Sequence, residues 1–148
     1  GTVLDLDNPE IGVECVLTGE LRAFARFVED IDFAGAEWQP LAVKASAGDG
    51  WAMKSDDLIY GWVVNPTSGV AKEAFTLSGL DDGDYEVRLY RTWAGRYLES
   101  VTVTATNGRL AVAIPELLPQ DGHANNIGDD IAFKISSKNS GQRRLADQ

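Results

Sequence analysis

The chain has 148 residues, 44% of them hydrophobic, and a formal net charge of −10. That length suits one domain able to bury roughly two-thirds of its unfolded surface. The acidity argues against nucleic acid and against anionic membranes as partners, because binding phosphate needs clustered Lys and Arg.

Cys15 is the single cysteine, so no intrachain disulfide can form. Without a neighbouring His or basic cluster to stabilise a thiolate, it reads as a small buried hydrophobe. One cysteine fits the cytosol or a disulfide-free secreted bacterial protein. No apolar run approaches the roughly 20 residues that span a bilayer. No signal peptide is visible, and Gly1 in place of Met reads as a processed start.

In chain order, Asp5-Leu6-Asp7-Asn8-Pro9-Glu10 is a polar turn, and Val13, Cys15 and Leu17 alternate as a short edge strand. A helix is expected over about 19–31. Leu21, Phe24, Val28 and Ile31 fall at i, i+3, i+7 and i+10, with Phe27 widening the stripe. Thr18 serves as N-cap and Glu20 suits the positive end of the helix dipole, while Asp30 and Asp32 crowd the negative end. So short a helix must dock on something.

From Trp38 the chain is β-rich. Strands are expected near Gln39–Ala45, Trp51–Lys54, Leu58–Asn65, Ala71–Leu77, Tyr85–Trp93, Leu98–Thr106, Arg109–Ile114 and Ile131–Ile135. Turn chemistry separates them, notably Asp81-Asp82-Gly83-Asp84 and Asn107-Gly108, the latter a type I′ signal. Short strands at this spacing predict a mainly β fold, an antiparallel sandwich of the fibronectin or immunoglobulin kind with one N-terminal helix. The expected divisions are an N-terminal segment over 1–37, the sandwich over 38–136 and a flexible tail over 137–148.

Candidate chemistry is sparse. The carboxylates cluster in turns, where they are solvated, and do not announce the converging pair that a glycosidase needs. Calcium is the one conceivable metal: Asp5, Asp7, Asn8 and Glu10 offer alternating oxygen donors, and the 125–130 segment offers a second set. Neither follows the EF-hand pattern, and no other cofactor is expected. His123, in a Gly/Asn-rich loop, reads as a surface residue. The aromatics stand out: Trp38, Trp51, Trp62 and Trp93 with Tyr60, Tyr90 and Tyr97. Trp62, inside the apolar run Ile59 to Val64, reads as core. Trp51 and Trp93 sit at loop edges, where their faces could stack on a sugar ring while Arg91, Arg96 or Tyr97 bond its hydroxyls.

The stretch LRAFARFVEDIDFAGAEWQPL resembles the last helix of a (β/α)8-barrel glycoside hydrolase and its connector into a C-terminal β-sandwich. Tyr85 to Gly95 matches the pattern YxVxxYxTWxG of such sandwiches, and Tyr60 to Asn65 is similar to their apolar core strand. The family is the set of bacterial glycosidase-like proteins whose terminal sandwich is labelled a collagen-binding-type domain, and the likeness runs from about Leu21 to Ile135. It implies an extracellular or periplasmic, non-catalytic accessory domain that braces the barrel through the Leu21/Phe24/Phe27/Val28 stripe. The catalytic carboxylates would belong to that barrel, so none is carried over to this chain. The partner would be the catalytic domain of the same enzyme or a polysaccharide. Two alternatives stand beside bracing: a carbohydrate-binding module using exposed Trp side chains, and a hydrolase fragment or subunit active only when completed.

Overall fold

Alternation of apolar and polar side chains beyond Trp38 produces two facing antiparallel sheets in the computed structural model, which describes residues 25–65, 69–92, 95–117 and 130–138. Their strands are β1 (Gln39–Leu41), β2 (Val43–Ala45), β3 (Asp49–Lys54), β4 (Ile59–Val64), β5 (Ala74–Ser78), β6 (Gly83–Arg91), β7 (Arg96–Tyr97), β8 (Val101–Ala105), β9 (Arg109–Ala113) and β10 (Asp130–Ser137). The seven-stranded sheet runs β1-β3-β4-β10-β6, with β7 and β8 both on the far edge of β6. The three-stranded sheet runs β2-β5-β9. The protein is therefore an antiparallel β-sandwich.

Period-two patterning fills the space between the sheets. Ile59 and Val63 of β4, Ile131, Phe133 and Ile135 of β10, and Tyr85, Val87 and Leu89 of β6 face Phe75 and Leu77 of β5 and Leu110 and Val112 of β9. Phe75 and Phe133 stack across the gap with centroids 4.6 Å apart. The Phe133 ring lies over Gly61, its register partner, and a Cβ there would collide with that ring and with the Trp51 carbonyl.

Three connections differ from the sequence expectation. Gln39–Ala45 is not one strand: the chain changes sheets at Ala42, whose carbonyl accepts from the Ser78 amide at 3.2 Å. The acidic turn after β5 also crosses between sheets, and it is pinned by the next hairpin. There the Leu80 amide donates to the Gly108 carbonyl at 3.1 Å, and the Gly108 amide donates to Asp82 Oδ1 at 2.8 Å. Asn107 and Gly108 have the two positive φ values of a type I′ turn, 53° and 76°. Beyond the Thr106–Arg109 bridge, however, β8 and β9 part into different sheets.

Helical backbone is described at residues 25–28, labelled α1, and it stops short of the expected Ile31. Past its end the Ile31 amide donates to the Val28 carbonyl at 3.0 Å, and Asp32 Oδ1 accepts the Gly35 amide at 2.7 Å in the turn that follows. At the other terminus β10 continues to Ser137, paired with Tyr85, so the expected tail begins inside the sheet. The expected edge strand at 13–17, the first half of the helix, Cys15, His123 and the last ten residues lie outside the described residues.

Candidate functional site

The large sheet has a second apolar face. Odd positions of β3 and even positions of β4, β10 and β6 point away from the sandwich core. Register places Trp51, Trp62, Ala132, Tyr90 and Tyr97 in one row across five strands. Ala132, completely buried, is the small member in the middle. Phe27 of α1 fills the space it leaves, with ring centroids 5.2 Å from both Trp62 and Tyr90. Phe27 and Ile31 are 1% and 6% exposed, so the described part of the helix stripe packs on the chain's own sheet. Phe27, one of the four residues of the expected bracing stripe, is thus taken up by the chain's own sheet, while Leu21 and Phe24 lie outside the described residues.

Polar contacts fasten the segment. Lys134, one register row from Ala132 and 1% exposed, pairs with Asp30 and lies 4.8 Å from the Phe27 ring centroid and 5.4 Å from that of Tyr97. Asp30, unfavourable at a helix C-terminus, thus finds its counter-charge on the sheet. Arg26 Nη1 donates to the Gly95 carbonyl at 3.3 Å. Burial pushes the Tyr90 phenol above its ordinary value, with Tyr97 and Glu29 adding to the rise and Arg26 opposing it.

One end of this face stays open. Trp51 and Phe33 are each 51% exposed. Between them stands half-buried Tyr60, whose phenol burial also pushes upward. Trp51 meets Tyr60 edge-on at 5.9 Å and Phe33 meets it edge-on at 5.7 Å. Trp38 packs edge-on against Tyr60 at 5.0 Å and spends its indole N–H on the Asp32 carbonyl at 2.9 Å. Trp51 lies nearly parallel to Trp62, at 20° and 6.4 Å. Trp62 is half-buried on this outer face, not in the inner core, and its Nε1 donates to Asp130 Oδ2 at 2.7 Å.

The residues singled out as a sugar site are not all together. Trp51 is at one end of this row and Tyr97 is four strand spacings away, roughly 19 Å. Arg96 is exposed beside Tyr97 on β7. Arg91 is only 2% exposed, and burial followed by the nearby Arg96 charge lowers its pKa against the pull of Asp130. Trp93 lies outside the described residues. Phe33, Trp38 and Tyr60 join Trp51 instead. Tyr60 was detectable in principle, since its phase opposes that of Ile59 and Val63; Phe33 carries no such signal.

The calcium candidates Asp5, Asp7, Asn8 and Glu10 also lie outside the described residues. Of the second set Asp130 is described, and both its oxygens are engaged, Oδ2 by Trp62 and Oδ1 by the Thr92 hydroxyl at 2.6 Å. Among the described residues no group of three or more His, Cys, Asp or Glu could hold a metal ion. A cavity of about 190 Å³ between the β3–β4 and β5–β6 connections is lined by Asp56, Asp57, Asp81, Asp82, Lys54 and Tyr85, among others. Tyr85 spends its hydroxyl on the Asp81 carbonyl at 2.8 Å.

Protein-family models, curated proteins and solved structures were all compared with the chain, and none matches it.

Proposed function

We propose that this chain is a non-catalytic β-sandwich module that binds carbohydrate through the open end of its outer aromatic face, as the accessory domain of a secreted carbohydrate-active enzyme. The observation that carries the reading is the half-exposed indole of Trp51, held on a strand and buttressed by Trp62 and Tyr60. An aromatic ring on a rigid sheet suits the apolar C–H face of a pyranose, because both surfaces are flat and lose little entropy on contact. Aromatic rather than aliphatic side chains surround it, which favours stacking over a generic greasy contact. Bracing of a neighbouring barrel has less support, because Phe27 and Ile31 are already buried within the chain.

The test is a titration of intrinsic tryptophan fluorescence with a panel of soluble oligosaccharides. Saturable change with one glycan, absent in Trp51→Ala, supports the module. No response across the panel in a protein that remains folded counts against it.

A further inference from the structure

Two exposed rings share one neighbour, and their surroundings carry a charge sign; together these features restrict the ligand class. The argument rests on the carbohydrate-binding reading above. Trp51 and Phe33 each meet the Tyr60 ring edge-on, at 89° and 85°, with centroids 5.9 and 5.7 Å from it. Touching one shared ring, the two half-exposed side chains lie within reach of neighbouring units of one glycan chain.

Among the described residues, the cations on this face are already committed. Lys134 is buried against Asp30, Arg26 bonds the Gly95 carbonyl, and Arg88 lies 5.0 Å over Tyr97 at the far edge. Asp49 shares the face of Trp51 two residues along β3, and the whole chain carries −10. An anionic ligand would meet a repulsive field with no bidentate partner among the described residues to offset it.

We infer that the site takes an uncharged linear glycan of two or more rings, with Trp51 and Phe33 as separate stacking platforms, in preference to a single sugar or a uronate polymer. Trp51 is the main platform because Tyr60 and Trp62 buttress it. Phe33 adds a second contact that only a longer chain reaches.

The experiment is calorimetric titration of the full chain with neutral β-linked gluco-, xylo-, manno- and chito-oligosaccharides from one to six units, and with oligogalacturonates. The variants Trp51→Ala and Phe33→Ala are titrated alongside, with their fold checked by circular dichroism. The expected result is binding of one neutral series that tightens about two- to tenfold between the monomer and the longer chains, by the usual size of a stacked aromatic contact. Phe33→Ala should bring the longer chains down towards the affinity of the monomer, and Trp51→Ala should abolish binding at every length. Equal affinity for monomer and hexamer, or no effect of Phe33→Ala, overturns the two-platform inference and leaves the sugar-binding reading standing. Preference for oligogalacturonate overturns the charge argument. No binding of any sugar by folded protein overturns this inference and the reading beneath it together.

Discussion

Phe27 occupies the gap that Ala132 leaves in an otherwise aromatic row, between Trp62 and Tyr90. A residue in the N-terminal segment and one in the last described strand thus define a second core outside the sandwich. The fit is reciprocal: a larger side chain at 132 would evict the ring, and a smaller one at 27 would leave a void.

Accordingly, Phe27→Ala should destabilise the fold by about 3 kcal/mol, as buried aromatic truncations do. Ala132→Leu should cost about 1–3 kcal/mol by overpacking. Urea unfolding of both single variants and the double variant checks this. Because the two residues share one space, the double variant should lose less than the sum of the singles. Simple additivity would show that they do not compete for the gap.

The pair between Lys134 and Asp30 makes an asymmetric prediction. Asp30→Asn leaves a buried ammonium without its counter-charge and should cost about 1–2 kcal/mol, less than a fully buried pair because Asp30 itself is solvated. Lys134→Met replaces the charge with an apolar chain of similar length and should be close to neutral. Thermal melting of the two variants decides it; equal losses would contradict the account.

Gly61→Ala should be poorly tolerated although alanine is small. Its methyl would strike the Phe133 ring and the Trp51 carbonyl, both fixed by the sheet. A loss of about 1–3 kcal/mol is expected, visible as a lower melting temperature. An unchanged melt would mean that Phe133 moves aside freely.

Alkaline pH should destabilise the protein. Burial raises the phenol pKa values of Tyr60, Tyr85 and Tyr90 above 10.0, and Asp81 and Asp82 add to the rise at Tyr85. The fold therefore favours the neutral phenols. That stabilisation is complete below the unfolded value of 10.0 and is lost as pH climbs through the higher folded values. Phenolate absorbance from these residues should appear together with unfolding. Ionisation of these three tyrosines at ordinary values in a folded protein would contradict it.

Strand identity was legible in the sequence because period-two patterning needs no tertiary information; the Phe75/Leu77 and Tyr85/Val87/Leu89 alternations face the core as expected. Sheet membership was not. Nothing local distinguishes a turn that makes a hairpin from one that changes sheets, so the breaks at Ala42 and Ser78 appear only once the two sheets are built. The apolar run Ile59 to Val64 likewise suggested one core, whereas its alternate residues serve two. Trp51 was singled out for its place beside a Gly-Asp-Gly loop, and its exposure agrees. Its companions Phe33 and Trp38 come from a connector with no periodicity, and only the fold brings them to Tyr60.

The most direct test of the Trp51 platform is an NMR titration with 15N-labelled indoles. Adding a bound oligosaccharide should shift the Trp51 Nε1–H signal strongly. Trp62 and Trp38, whose indole N–H groups are held by Asp130 and the Asp32 carbonyl, should move little. Large shifts at Trp62 with none at Trp51, or no shift at any indole while the protein stays folded, would contradict the account.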